Sequence, residues 1–269
     1  MDNYNQFINK EHQNIINRFM NNGFIIEKSE NNDNLDLIRD LIIDLSCKFL
    51  KTSVGSNKNN FLNDIHHQVD VDKINELRLY IFQNLNKENW FRKSYFELAK
   101  NTLEILVGNE LVMQKKINLS IQMPNDETSV LPVHADVWSG DSPFEIVLWV
   151  PFVDVKKSKS MFILPTEKNK NHLNVFRDKK IKNSADLMER IRPDLTWLEL
   201  KYGEILVFTQ NLMHGNEINK EDTTRFSLNC RFKSLFSPYS DKKIGEFFEP
   251  ITMKPATKLG INYSLPLIK

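Results

Sequence analysis

Cysteine is nearly missing from this sequence: Cys47 and Cys230 are the only two in 269 residues. Both sit in apolar patterns, so they are expected to be reduced core residues, which excludes a disulfide framework and fits a cytoplasmic protein. Net charge is missing as well. With 36 Lys and Arg against 35 Asp and Glu, nothing calls for nucleic acid or an anionic membrane as partner. Basic pairs such as Lys179–Lys180 and Lys242–Lys243 are too short to bind a polyanion and read as solvated surface. No stretch approaches the roughly 18 consecutive apolar residues of a membrane span. The opening MDNYNQFINKEHQNIINRFM has no apolar core behind a basic end, so no secretory signal is expected. No internal repeat or low-complexity segment stands out. The 41% of hydrophobic residues is ordinary for a globular chain, and the length suits one large domain with a buried core.

The first 110 or so residues read mainly as helices. NLDLIRDLIIDLSCKFL spaces Leu35, Ile38, Ile42, Leu45 and Phe49 three or four apart, one face of a helix, with Asn32 to Asn34 available as caps. GFIIEK before it reads as a short strand, and residues 51–64 as a polar loop. KINELRLYIFQNLN and SYFELAKNTLEILVG return to helical spacing, the second stopping at Gly108. From Ile117 the period becomes two. INLSIQMP sets Asn118, Ser120 and Gln122 on one face, and FEIVLWVPFVDV, SMFILP, LTWLELKYGEILVFTQ and TRFSLNCRF are further strands. The loop from Thr166 to Asp194 carries a helix, SADLMERI. The pattern predicts an α+β protein, a helical layer packed on an antiparallel β barrel or sandwich in a single domain. Its parts are residues 1–110 (helical layer), 111–236 (β core) and 237–269 (C-terminal extension). That extension is expected to wrap the barrel, cover the pocket or meet another subunit.

Chemistry concentrates in VLPVHADVWSG. In a strand, positions i and i+2 share a face about 7 Å apart, which puts His134, Asp136 and Trp138 on one side. His134 and Asp136 can then share an ion, with Trp138 walling the pocket. A third ligand has to come from a distant strand, and FTQNLMHGNE supplies His214 after the apolar run Ile205 to Phe208. Two imidazoles and one carboxylate form the facial triad of non-haem Fe(II) oxygenases and leave coordination positions open. The other histidines compete poorly: His66 and His67 are adjacent and expected to point apart, and His12 and His172 lie in polar, exposed segments. Fe(II) with one aspartate leaves a site of charge +1, so a dianionic cosubstrate needs a cation at its far end. Arg225 follows His214 by eleven positions. In RFSLNCRF it shares a face with Ser227, Asn229 and Arg231, and a guanidinium fork with a nearby hydroxyl suits a distal carboxylate. An arginine on an exposed strand face is the plainer reading, equally open to Arg231; the spacing favours Arg225.

The set His134-x-Asp136, His214, Arg225 and Ser227 resembles the Fe(II)/2-oxoglutarate-dependent dioxygenases, in particular the branch like phytanoyl-CoA dioxygenase. LVGNELVMQKKINLSIQMP, LPVHADVWSGDSPFEIVLWVPFVDV and KSKSMFILP are similar to the 2-oxoglutarate/Fe(II) oxygenases of sporadic bacterial carbohydrate-biosynthesis clusters. The resemblance implies a double-stranded β-helix, a jelly-roll or cupin-like barrel, using Fe(II), 2-oxoglutarate and O2. It assigns His134, Asp136 and His214 to iron and Arg225 to the 2-oxoglutarate C5 carboxylate, with Ser227 assisting. Asn118 and Gln122 occupy positions that contact the cosubstrate in related enzymes, with a plain polar strand face as the alternative. Asn216, two after His214, is a further candidate contact, and Lys159 is a rival cation for the carboxylate. Trp149 reads as core. The sequence departs from the resemblance after FILP, where TEKNKNH replaces the Gly-Ser-His of phytanoyl-type enzymes.

A small-molecule substrate that contains a sugar is expected from the same resemblance, a carbohydrate or nucleotide-sugar intermediate of surface polysaccharide biosynthesis. Trp138 would meet an apolar ring face, and Ser139, Asp141 and Glu145 its hydroxyls. Asp136 argues against a halogenase, where a small residue leaves room for halide. Two other classes compete. A cupin-like metal-dependent sugar isomerase or epimerase would recruit more histidines and have no need of Arg225. A non-catalytic carbohydrate-binding barrel would have no reason to converge three ligands.

Overall fold

A computed structural model of the chain describes residues 7–55, 58–172, 174 and 181–266. The Lys179–Lys180 pair lies outside them. Helix α1 (Lys10–Asn22) is capped by the Asn9 side chain, which accepts from the His12 amide, and it stops at Gly23. That glycine has φ 78°, and a Cβ there would lie 2.6 Å from Leu212 Cδ1, so both backbone and space demand its bare α-carbon. The chain turns directly into β1 (Phe24–Lys28). Next comes α2 (Asn32–Leu50), capped by Asn31, which buries Leu35, Ile38, Ile42 and Leu45 as the spacing predicts. Helix α3 (Val71–Leu85) follows.

The stretch predicted as one helix, SYFELAKNTLEILVG, is two: α4 (Phe91–Glu97) and α5 (Lys100–Val107). The break has a tertiary cause. The Glu30 carboxylate accepts from the Asn101 and Thr102 amides and the Thr102 hydroxyl at 2.8–2.9 Å, capping a new helix start that local spacing does not reveal.

The strands are β2 (Leu111–Gln114), β3 (Asn118–Gln122), β4 (Ile146–Pro151), β5 (Phe162–Ile163), β6 (Thr196–Trp197), β7 (Glu204–Thr209), β8 (His214–Gly215), β9 (Arg225–Ser234) and β10 (Phe248–Pro250). They form two antiparallel sheets. The larger has the order β1-β7-β4-β9-β2-β10, with β3 also on β9; the smaller has the order β6-β5-β8. Ten-residue β9 is the hub. Its first half pairs with β3 from Gln122↔Arg225 to Asn118↔Asn229, its second half with β2, and its other edge with β4 from Pro151↔Ser227 to Ile146↔Phe232. The crossovers between two facing sheets make a jelly roll, an α+β fold whose outer sheet face is covered by the helices.

Tyr95 of α4 shows how the layers are joined. It is fully buried, and its hydroxyl donates to the carbonyls of Leu148 on β4 (2.8 Å) and Leu228 on β9 (3.2 Å). The C-terminal extension adds β10 to the edge of the larger sheet, where Phe248 is fully buried opposite Gln114. Helix α8 (Pro255–Ile261) buries none of its residues. Before it come α6 (Thr166–Asn171) and α7 (Ser184–Ile191), the second matching SADLMERI and capped by Asn183. Among the described residues no helix is long and apolar enough to cross a membrane. Both cysteines are free; Cys230 is buried and Cys47 half-buried.

Candidate metal centre

His134 and His214 meet through backbone. The His134 amide donates to the His214 carbonyl (3.0 Å) and the His214 amide returns to the His134 carbonyl (2.8 Å), which brings the two rings together at a tilt of 51° with centroids 4.4 Å apart. The approach is close enough that a Cβ at Gly215 would sit 2.8 Å from the Leu131 carbonyl oxygen. Asn216 completes the zip. Its amide donates to the Leu131 carbonyl (3.0 Å), its side-chain oxygen accepts from the Leu131 amide (2.6 Å), and its Nδ2 donates to the Ser129 carbonyl (3.2 Å).

The expected strand through Trp138 ends early. After Ala135 (φ −120°, ψ 133°) the chain enters a 3-10 turn, Asp136–Ser139, closed by Gly140 at φ 85°. This bend swings Asp136 back toward the histidines, with Asp136 Oδ1 3.4 Å from His134 Nε2. Among the described residues, His134, Asp136 and His214 alone bring three metal-ligating side chains together, with ligand atoms all within 4.8 Å of one another.

Both rings are held in the tautomer a metal needs. His134 Nδ1 lies 2.8 Å from the Pro132 carbonyl oxygen and His214 Nδ1 2.9 Å from that of Leu212. A carbonyl can only accept, so each Nδ1 carries the proton and each Nε2 presents a lone pair. At Asp136 and His214 the protonation pattern also favours a cation. Burial would raise Asp136, but the His134 contact and the His214 and Arg231 charges outweigh it and hold the carboxyl well below its ordinary range. Burial, then the His134 charge, pulls His214 down to about 4. For His134 burial is outweighed by Asp136 and the Pro132 carbonyl, and its pKa rises.

The cavity beside these ligands has a volume of about 150 Å³. Arg225 and Asn216 line it as expected positions. Arg225 is 5% exposed; its Nη1 donates to the Ser160 carbonyl and its Nη2 to Ser120 Oγ, while Nε has no acceptor among the described residues. Burial alone pulls its pKa down to about 10. Ser227 is fully buried with an unpartnered hydroxyl on the same strand.

Other expectations need correction. Asn118 and Gln122 do not line the cavity: Asn118 donates to Asn229 Oδ1, and Gln122 donates to the Glu217 carbonyl. Ser120, between them on the same face, and Asn229 are the cavity residues. Trp138 is 40% exposed and outside the cavity, because the 3-10 turn breaks the period-two register on which its placement rested. Glu145 is buried behind the wall, accepting from the Ser142 amide and from Gln210 Nε2. Lys159 is buried elsewhere, donating to Asn63 Oδ1 and Thr223 Oγ1. Trp149 is buried in the core, as read, and it also lines the cavity. His66 and His67 do not point apart; a 3-10 turn sets their rings 4.1 Å from each other. His172 is buried against Asp194 rather than exposed.

Three charged residues are joined here in a way the sequence did not indicate: Arg231, open to reading as an exposed strand-face arginine, Asp141, read as a sugar contact, and Lys242, read as solvated surface. Arg231, next to the metal ligands, pairs with Asp136 (3.3 Å) and Asp141 (3.0 Å), and Asp141 pairs in turn with Lys242. The alternation of β9 already put Arg231 on the inward face with Arg225; its partners lie too far along the chain to leave a local trace.

Fold and site together define a jelly-roll protein with a candidate mononuclear metal centre at one end of its cavity. No protein-family model matches the chain, and no curated protein does. Solved structures do. The non-heme monooxygenase ThoJ, as its nickel complex, superposes with a TM-score of 0.56 at 15% identity, over 88% of this chain and 84% of its own. AviO1 from Streptomyces viridochromogenes Tue57 gives 0.55 at 15% identity, over 85% and 97%. EctD from S. alaskensis, in a structure with 2-oxoglutarate and 5-hydroxyectoine, gives 0.55 at 15% identity, over 85% and 77%. These likenesses establish a shared fold.

Proposed function

We propose that this protein is an Fe(II)- and 2-oxoglutarate-dependent oxygenase. The observation that carries the reading is the pairing of two features in one cavity. Two imidazoles with Nδ1 tied to carbonyls converge with one carboxylate, and a buried guanidinium with no carboxylate partner among the described residues stands beside them. The neighbours named above, one a nickel complex and one holding 2-oxoglutarate, support it as analogues of fold.

The residues fit the cofactor set. His134, Asp136 and His214 would hold the metal, offering nitrogen and oxygen donors suited to ferrous iron. Arg225 would bind the C5 carboxylate of 2-oxoglutarate, whose two oxygens match a guanidinium fork, with Ser120 and Ser227 as neighbouring hydroxyls. When bound, the metal and its cosubstrates supply the oxidation itself: 2-oxoglutarate and O2 give succinate and CO2, and one oxygen atom goes to the substrate. The protein's part is placement. Trp149 and Met161 make an apolar wall that excludes water, Asn216 keeps the two histidine segments in register, and Asn229 offers an amide to substrate or cosubstrate.

The substrate we infer is a small molecule containing a sugar. The polar lining of Ser129 and Asn229 beside Trp149 suits hydroxyl groups on an apolar ring face. The reading places the protein in the cytoplasm, in carbohydrate biosynthesis.

Anaerobic titration with Fe(II) and then 2-oxoglutarate tests the activity. A weak visible charge-transfer band should grow only when both are present, and air should convert 2-oxoglutarate to succinate slowly without substrate. Nucleotide sugars and oligosaccharides that accelerate succinate release identify the substrate class. Absence of the band in folded, Fe(II)-loaded protein refutes the reading.

A further inference from the structure

Arg231 makes more contacts than an arginine on an open strand face has available. Strand β9 delivers it opposite Val147 of β4, on the face that carries Arg225, and its side chain is only 14% exposed. One edge of the guanidinium meets the candidate metal site, with Nη2 3.3 Å from Asp136 Oδ1. The rest is held from behind. Nε lies 3.0 Å from Asp141 Oδ1 and donates to Gln210 Oε1 at 3.3 Å, while Nη1 donates to Gln114 Oε1 at 3.5 Å. The Asp141 side chain is 1% exposed and its other oxygen pairs with Lys242; Gln210 is fixed by donating to Glu145 Oε2 at 2.7 Å. The guanidinium is therefore anchored on the side away from the ligands, and its free edge is given to one carboxylate.

Resting on the Fe(II)-centre reading, we propose that Arg231 is the positioning residue for Asp136: anchored by Asp141 and Gln210, it fixes the orientation in which the Asp136 carboxylate is presented to a metal. An unrestrained aspartate can close onto an ion with both oxygens, taking a coordination position that 2-oxoglutarate or O2 requires. Charge alone pulls the other way, because a cation 3.3 Å from the ligand oxygen weakens attraction for a metal ion. The positioning role and the bland role, a counter-charge for Asp136, thus predict different signs. Lysine keeps the charge but cannot span Asp136, Asp141 and Gln210 at once.

The test uses the full-length protein loaded with Co(II), whose visible d–d bands report coordination number without turnover. Wild type, R231K, R231Q and D141N are compared, with circular dichroism to verify folding. R231Q and R231K should both alter the Co(II) band positions and intensities, and both should bind 2-oxoglutarate about 10- to 100-fold more weakly. D141N, which leaves Asp136 and Arg231 in place, should move the spectrum the same way by less, and it carries the test if R231Q does not fold. A wild-type Co(II) spectrum and 2-oxoglutarate affinity in folded R231K or D141N overturns the proposal. So does tighter Co(II) binding by R231Q with unchanged bands, the mark of a simple counter-charge. Failure of wild type itself to bind Co(II) refutes the metal-centre reading instead, and this inference falls with it.

Discussion

Replacing Arg225 with methionine should make the ligand-free protein more stable and the protein useless to 2-oxoglutarate. The guanidinium is 5% exposed, accepts no carboxylate partner among the described residues, and donates only to Ser120 Oγ and the Ser160 carbonyl. Burial drags its pKa from the ordinary arginine value down to about 10. At about 1.36 kcal/mol per tenfold change, that drop represents on the order of 3 kcal/mol of uncompensated desolvation. Methionine has similar length and no charge, and it leaves one carbonyl acceptor unpaired at a cost of about 1 kcal/mol. The net gain is about 1–2 kcal/mol, a rise in Tm of roughly 2–8 °C for a chain of this size. The opposite holds for the cosubstrate. Removing one partner of a buried ion pair costs about 3–5 kcal/mol, so 2-oxoglutarate affinity should fall by about two to three and a half orders of magnitude. Thermal melts of the Co(II)-loaded proteins read both effects together. Wild type should gain about 2.7 kcal/mol with 2-oxoglutarate at 100 times its Kd, and R225M at the same concentration less than about 0.5 kcal/mol. If R225M melts below wild type without ligand, the buried guanidinium is structural; if it responds to 2-oxoglutarate as wild type does, Arg225 does not hold the diacid.

Two further outcomes can be checked in the same way. Gly215→Ala puts a Cβ 2.8 Å from the Leu131 carbonyl oxygen and 2.9 Å from Phe162 Cζ, forcing the His134–His214 bridge to open; a loss of about 1–3 kcal/mol and weaker Co(II) binding are expected, and a wild-type melt with wild-type binding refutes the account. Burial, reinforced by the Asp141 charge, pushes Glu145 up to about 7, so its contribution to stability is greatest below pH 4.5, declines as pH rises toward 7 and is flat above. The stability of E145Q relative to wild type, from urea unfolding at several pH values, should therefore increase between pH 5 and 8, and a pH-independent difference would count against it.

Much of this architecture could be read from spacing. The helical face of α2, the alternation of β3 and β9 and the strand before His214 are local patterns, and the structure follows them. Where a distant residue decides, the pattern fails. Nothing within SYFELAKNTLEILVG announces that Glu30 caps a second helix at Asn101 and Thr102. Alternation put Asn118, Ser120 and Gln122 on one face but could not say which reaches the cavity. The ends of β3 are taken by Asn229 and by the Glu217 carbonyl, which leaves the middle residue to Arg225.

Trp138 carries the sharpest physical lesson, because the same bend that displaces it makes the ligand set possible. A straight strand would have kept His134, Asp136 and Trp138 on one face, with the two ligands about 7 Å apart. The 3-10 turn at Asp136 and the left-handed Gly140 instead fold the carboxylate back to 3.4 Å from His134 Nε2 and turn the indole outward. A period-two pattern therefore identifies His134 and Asp136 only because the pattern stops between them. Gly140, which closes that turn at φ 85°, is as much a part of the centre as its ligands. Arg231 can then reach Asp136 from the opposite sheet, since the turn brings the carboxylate to the floor that β9 supplies.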